Sequence, residues 1–360
     1  MTEDVYRKLA KKLDEMPNGF PATDSGVEVE ILKKIFTPED AELALKIKPV
    51  PETAEAIAQR LQKPVSEMRS ILDEMARKGQ IGCLKLFGQQ VYMFFPFVIG
   101  IYEFQLNRMD KEFTDLMEKY GPTLFGTVGG YKPSLTRVIP VNATIDNRLQ
   151  IHLYEDLHRM IDQAKSFRVR DCICRKEQAI QGHACKHTLE NCLSISQEEG
   201  AFDYFSLAGR IISKEEAFKV LSESEKEGLV HCAWNVQQGH AFVCNCCPCS
   251  CGILRAVKEF KTPYMLAKSN FMAEIDQVTC SSCGICKEER CPMEAIVETN
   301  GAYKVLDERC IGCGVCSVTC PTDSITMKVR AELEREEPPA NLIDWMLKRA
   351  TSRGIELKPQ

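Results

Sequence analysis

Apolar residues in the first hundred positions recur at helical spacing, and the polar residues between them carry start and stop signals. Thr37 is placed as an N-cap, with Pro38 at the first helical position and Asp40 as a capping-box acid, opening TPEDAELALKI. Thr53 caps TAEAIAQRLQ, Pro64 marks a short turn, and Ser66 caps SEMRSILDEMARKGQ, which Gly79 ends. In that last helix Met68, Ile71, Leu72 and Met75 fall at i, i+3, i+4 and i+7 and make one apolar stripe. The runs IGCLKLF and QQVYMFF, joined through Gly88, predict a β-hairpin.

Helix, turn, helix and hairpin in this order resembles a winged helix-turn-helix domain, which implies a recognition helix over Ser66–Lys78. That helix sets Arg69, Arg77 and Lys78 against Glu67, Asp73 and Glu74, a net charge of zero. A phosphate-binding face carries a basic excess. The balance therefore favours a winged-helix fold reused for partner docking or for a homodimer over one that reads DNA. Cys83, in the hairpin, reads as a small buried hydrophobe.

Beyond the hairpin the pattern loosens. YEFQLNRMDKEFTDLMEKY predicts a long helix, GPTLFGTVGGYKPS a loop, and RVIPVNATI a strand interrupted by Pro140. The most apolar run, VYMFFPFVIGIY, contains Pro96 and Gly100 and is well short of the roughly 20 residues that cross a bilayer, so it predicts an anchor between domains. His152 and His158, six apart, do not share a helix face and read as surface residues. After Val329, RAELEREEPP predicts a solvated linker, and NLIDWMLKRA a helix whose Leu342, Trp345 and Met346 face docks on its own protein. The first twenty residues are charged and amphipathic with no secretory stretch, which predicts a cytoplasmic protein.

Composition changes the picture at one point. The 360 residues hold 46 Lys+Arg against 51 Asp+Glu, a net −5 that argues against a nucleic-acid coat, but 19 are cysteine. That is roughly 5%, several times the ordinary share, and in a reducing compartment such an excess reads as metal ligation or redox chemistry. Cys83 alone lies in the first 171 residues, and the other 18 fall between Cys172 and Cys320.

Near the C-terminus the chain repeats itself at a period of about thirty residues. CSSCGICKEERCPMEAI, from Cys280, aligns with CIGCGVCSVTCPTDSI, from Cys310. Three thiols at two-residue spacing, with glycine after the second, can wrap a small cluster while backbone N–H groups face its sulfurs. Structural zinc, built from paired knuckles, would leave a third cysteine over in each half.

This repeat resembles the bacterial dicluster ferredoxins over about 271–330. The resemblance implies one [4Fe–4S] cluster held by Cys280, Cys283, Cys286 and Cys320, and a second held by Cys310, Cys313, Cys316 and Cys291. The first half departs from the pattern by one extra residue before Cys291. AIVET, KVLDE and SITMKV predict the strands, and Ala295, Ile296, Val305, Ile311, Val315, Val318 and Ile325 the dry packing. Two [4Fe–4S]²⁺ cores, each about −2 with its four thiolates, would move the net charge from −5 towards about −9, so the expected partner is a cytosolic redox enzyme or flavoprotein with a basic docking patch.

Ten middle cysteines leave alternatives open. In RDCICRKEQAIQGHACKHTLENC, a strand would turn Cys172 and Cys174 to one face beside Arg170 and Arg175, with Cys185 and Cys192 completing a set of four. In CNCCPCSCGILRAVKEF, Cys244, Cys246, Cys247, Cys249 and Cys251 run into a helix whose positive N-terminus would face their thiolates. One or two further [4Fe–4S] clusters is the preferred reading, with Cys172, Cys174, Cys185, Cys192, Cys244, Cys246, Cys249 and Cys251 as ligands. The alternatives are zinc, with His183 or His187 added to the same cysteines, and a redox-active dithiol or unusual cluster, with Cys232 or Cys247 as the odd thiol. His231 and His240 flank the second group.

In overall order the chain resembles a group of 4Fe–4S binding proteins of anaerobes. The expected fold is α+β and multi-domain: a mainly helical winged-helix-like domain over 1–99, a connecting and Cys-rich α+β metal-binding domain over 100–270, the dicluster domain over 271–330, and a linker and helix over 331–360. No dinucleotide fingerprint or P-loop is present. Three function classes follow, in order: a multi-cluster electron carrier, a redox-sensing regulator, and an Fe–S oxidoreductase.

Overall fold

The computed structural model describes residues 2–141, 144–145, 151–203 and 208–356. Five helices open the chain: α1 (Thr2–Asp14), α2 (Val27–Ile35), α3 (Pro38–Ala44), α4 (Ala54–Leu61) and α5 (Val65–Arg77). Thr37 Oγ1 accepts the Asp40 N–H at 3.1 Å, and Asp40 accepts the Thr37 N–H in return, a complete capping box. Thr53 caps α4 through the Ala56 N–H at 3.3 Å. Ser66 does not cap α5: Pro64 occupies that position with no side-chain bond, so the helix starts one residue before it. In the predicted stripe Met68, Leu72 and Met75 are buried, while Ile71 faces solvent. The hairpin forms as expected from β1 (Gly82–Leu86) and β2 (Gln89–Met93), with Cys83 buried.

The apolar run after the hairpin enters the same core through Phe94, Phe97 and Ile101. The long helix is displaced from its expected span. α6 (Lys111–Val128) starts where Asp110 accepts the Phe113 N–H at 2.7 Å, and it runs through Pro122 and most of the expected loop. Tyr120, Leu124 and Val128 bury against the N-terminal core, and that packing outweighs the backbone bond lost at Pro122.

A seven-stranded sheet forms the centre. Its strands are β3 (Thr136–Ile139), β4 (Ser166–Asp171), β5 (Glu190–Ser196), β6 (Arg210–Ile212), β7 (Val230–Trp234), β8 (Phe242–Cys246) and β9 (Leu266–Ala267), in the order β6-β4-β5-β8-β7-β3-β9. All pairs are antiparallel except β3 with β9. Of the predicted strand RVIPVNATI, the start pairs within the sheet, Ile145 at its end makes an isolated parallel bridge with Met327, and Asn142 and Ala143 lie outside the described residues. One face packs Phe167, Val169, Leu193, Ile195 and Val243 against α7 (Leu157–Gln163) and α9 (Lys214–Lys226). The period of two turns Cys192, Cys232, Cys244 and Cys246 to the opposite face. His152 and His158 are exposed, as expected.

That opposite face receives the 271–330 segment. Ile311, Cys313 and Val315 share one apolar cluster with Val138, Val230, Cys232 and Cys246. The segment has two small antiparallel ladders, β10 (Phe271–Ile275) with β13 (Ile325–Val329), and β11 (Ile296–Thr299) with β12 (Ala302–Val305). β10 was not among the expected strands. Of the expected dry packing, Val318 is 37% exposed, and the other six side chains are buried.

The last helix, α11 (Leu342–Ser352), straps the N-terminal core. Trp345 is fully buried and its Nε1 donates to the Ser134 carbonyl at 2.9 Å. Arg349 Nε and Nη1 donate to the Pro17, Tyr131 and Pro133 carbonyls. The helix therefore docks on its own chain, but Leu342 is 42% exposed and is not part of the docking face.

Candidate functional site

The eight C-terminal cysteines divide between two cavities. One is lined by Cys280, Cys283, Cys286 and Cys320 with Ile275, Tyr303 and Ile325. The other is lined by Cys291, Cys310, Cys313 and Cys316 with Ala295, Ile296, Val305 and Val315. Each cavity thus holds three thiols of one repeat and the fourth of the other. Gly284 and Gly314, after the second cysteine of each repeat, have φ of 80° and 78°, a left-handed turn that a side chain would strain.

Backbone donors face the sulfurs. The Ala295 N–H donates to Cys291 Sγ at 3.2 Å. Burial raises the Cys313 thiol to about 12, against the N–H of Val315. At Cys320 burial also pushes up, but the N–H groups of Thr322, Ser324 and Ile325 win and hold the thiol below its ordinary range. Apolar walls, four thiols and converging N–H groups fit a [4Fe–4S] core in each cavity, which needs charge stabilised at sulfur and water kept out.

The extra residue of the first repeat is absorbed locally. Cys286–Arg290 forms a π-type turn, closed by the Cys291 N–H on the Cys286 carbonyl at 3.0 Å. Arg290 then reaches the Glu225 and Lys226 carbonyls at the end of α9, at 2.9 and 2.8 Å. The insertion thus ties this segment to the sheet domain.

The middle cysteines are not arranged as their spacing suggests. Cys172 and Cys174 do not lie on a strand: β4 ends at Asp171 after an irregularity at Arg170, and Cys172 caps α8 (Ile173–Ile180), which carries Cys174. Seven thiols form one contact network. Cys172 bonds to Cys174, Cys174 to Cys251, Cys251 to Cys246, Cys246 to Cys232 and Cys244, and Cys244 to Cys192. Cys251 caps α10 (Gly252–Lys258), and the Gly252 and Leu254 N–H groups face Cys174 and Cys251. The hydrogen bond from Cys244, helped by the Arg170 guanidinium, pulls the Cys192 thiol down to about 5.

Cys185 and Cys249 stand apart from this network. They meet Cys247, which the spacing had left as the odd thiol, and the three sulfurs lie within 4.8 Å of one another. No histidine joins them among the described residues: His183 is exposed, and His187 Nδ1 faces Glu227 at 3.5 Å. His231 Nδ1 pairs with Asn245 Oδ1 at 2.6 Å. Arg175 lies on Cys247 as well as near Cys172 and Cys246, so it reaches both thiol groups, whereas Arg170 lies on Cys192.

Comparison with known proteins places a family on the C-terminal segment. Residues 303–326 match the 4Fe-4S binding domain family. The chain is 43% identical over 53 residues to a dihydromethanopterin reductase (acceptor) of Methanosarcina mazei, covering 14% of this chain and 22% of the relative. It is 38% identical over 56 residues and 47% identical over 45 residues to two uncharacterized ferredoxins of Methanocaldococcus jannaschii, covering 15% and 12% of this chain and 33% and 29% of the relatives. The chain thus spans a third or less of the length of these curated relatives. No solved structure matches it. Residues 303–326 thus belong to a 4Fe–4S binding domain near the C-terminus. Among the described residues no helix is long and apolar enough to cross a membrane.

Proposed function

We propose that the chain is an iron–sulfur electron-transfer protein. Cys280, Cys283, Cys286 and Cys320 hold one [4Fe–4S] cluster, and Cys291, Cys310, Cys313 and Cys316 hold a second. A third centre draws its ligands from Cys172, Cys174, Cys192, Cys244, Cys246 and Cys251. The observation that carries this reading is the crossed division of the eight C-terminal cysteines between two cavities. When bound, the clusters supply one-electron transfer at potentials set by hydrogen bonding and burial.

Burial gives the path a direction. Cys283 is exposed, so electrons exchange with a partner on that side. Cys313 and Cys316 are buried, and Cys313 shares its apolar cluster with Cys246 and Cys251 of the sheet. The chain's residues therefore order the three sites from surface to interior: the first cavity, the second, then the sheet thiols. Ile311 and Val315 keep water from the junction, and the N–H groups at Cys291 and Cys320 stabilise charge on sulfur.

The N-terminal helices and hairpin serve, in this reading, as a winged-helix-like docking module. The cations of α5 and Lys78, which follows it, are committed: Arg77 to Glu74 at 2.5 Å, Lys78 to Asp40 at 3.2 Å, and Arg69 to Glu55. The partner is a redox enzyme or flavoprotein with a basic face, complementary to a net charge that moves from −5 towards about −9 with two clusters bound. Protein-film voltammetry on the anaerobically purified chain tests the function. Reversible low-potential one-electron waves are expected, and their absence would overturn it.

A further inference from the structure

We propose that Cys185, Cys247 and Cys249 form a separate site for a single soft divalent metal ion, with zinc as the occupant. The first argument is spacing. A tetrahedral zinc with Zn–S bonds of about 2.3 Å sets neighbouring sulfurs about 3.8 Å apart. Cys185 Sγ and Cys247 Sγ are 4.0 Å apart, and all three sulfurs lie within 4.8 Å. Among the described residues these are the one set of three thiols whose sulfurs all lie within reach of one another. The eight C-terminal cysteines, all described, form no such close triplet.

The second argument is the shell around the sulfurs. The His187 N–H and the Ser250 hydroxyl both face Cys185, and Ser250 Oγ also donates to Cys249 Sγ at 3.8 Å. The Arg175 guanidinium faces Cys247, and its Nη1 and Nη2 donate to the Thr188 and Asn245 carbonyls at 2.5 and 2.8 Å. Three thiolates and a divalent ion leave one negative charge, which this buried guanidinium offsets. Cys247 is buried and Cys249 exposed, so the fourth coordination position opens outward, to water or an added thiol. Binding releases thiol protons to solvent and changes no oxidation state.

This site stands independently of the cluster assignments. The test is metal analysis of the anaerobically purified full chain, wild type beside Cys249→Ser, a change at an exposed side chain. Wild type should hold about one zinc per chain after dialysis against a mild chelator, and the variant should retain at least about tenfold less with iron unchanged. In cobalt(II)-loaded protein, a sulfur-to-cobalt charge-transfer band should be present in wild type and lost in the variant. Loss of about four irons in Cys249→Ser would overturn the proposal by making Cys249 a cluster ligand. Wild-type protein without zinc, with all three thiols open to alkylation or two of them joined as a disulfide, would also overturn it. Zinc retained in a protein without iron would uphold this site while sinking the electron-transfer reading.

Discussion

Cys232 lies directly opposite Cys244 across the antiparallel ladder of β7 and β8, and both face the segment that carries the 4Fe–4S repeats. Two positions along the ladder, past the His231–Asn245 pair, Cys246 stands against Val230 on the same face. Strand alternation thus gathers thiols from three strands, β5, β7 and β8, into one buried layer, and helix starts at Cys172 and Cys251 add the rest.

The crossed division of the repeats predicts a crossed pattern of losses. Cys320→Ala should abolish the cluster of the Cys280–Cys286 side, and Cys291→Ala the cluster of the Cys310–Cys316 side. Each should lower iron by up to about four per chain and leave the other centre's spectrum in place. Paramagnetic resonance of the two reduced variants checks this, and both variants losing the same signal would refute the crossing.

Trp345 is fully buried and bonded to the Ser134 carbonyl at 2.9 Å. Trp345→Ala should cost about 3–5 kcal/mol in packing, with about 1 kcal/mol more from the lost hydrogen bond. Anaerobic urea unfolding should show a lower midpoint. An unchanged midpoint would mean that α11 does not strap the N-terminal core.

Two buried acids give a pH dependence. Burial pushes the Glu103 and Glu177 carboxyls up to about 7, even though the Gly100 N–H and the Tyr102 hydroxyl hydrogen-bond to them. Their ordinary value is 4.5, so across this window the folded chain keeps protons that the unfolded chain has released. Their contribution to stability is therefore full below about pH 4.5 and is lost as pH rises through about 7. Replacing both by Gln should flatten stability against pH between about 5 and 8, measured by chemical unfolding, and an unaltered slope would contradict the assignment.

The paired cations of α5 predict poor DNA binding. Anisotropy with a labelled duplex at low salt should give a dissociation constant weaker than about 10⁻⁴ M, with no sequence preference. Submicromolar, sequence-selective binding would favour the regulator reading instead.

What could be read from the chain follows the range of the interactions. The caps at Thr37 and Thr53 act over three residues, and the repeats at Cys280 and Cys310 carry their own spacing, so both are written locally. The middle thiols are not. Cys192 reaches Cys244 only because β5 and β8 are neighbours in the sheet, and Cys247, with Cys249, meets Cys185, sixty-two residues from Cys247 in the chain. The run of α6 through Pro122 is likewise decided by buried Tyr120, Leu124 and Val128, a tertiary effect that propensity misses. The start of a helix at Cys172 depends on where β4 loses its partner, which the C-x-C spacing does not encode.

The most direct test of the central claim is the iron and acid-labile sulfide content of the anaerobically purified chain, read together with paramagnetic resonance during a reductive titration. The account predicts about twelve irons and as many sulfides per chain, about eight of them in two low-potential centres close enough to interact magnetically. About four irons or fewer, or centres that do not reduce reversibly at low potential, would contradict it.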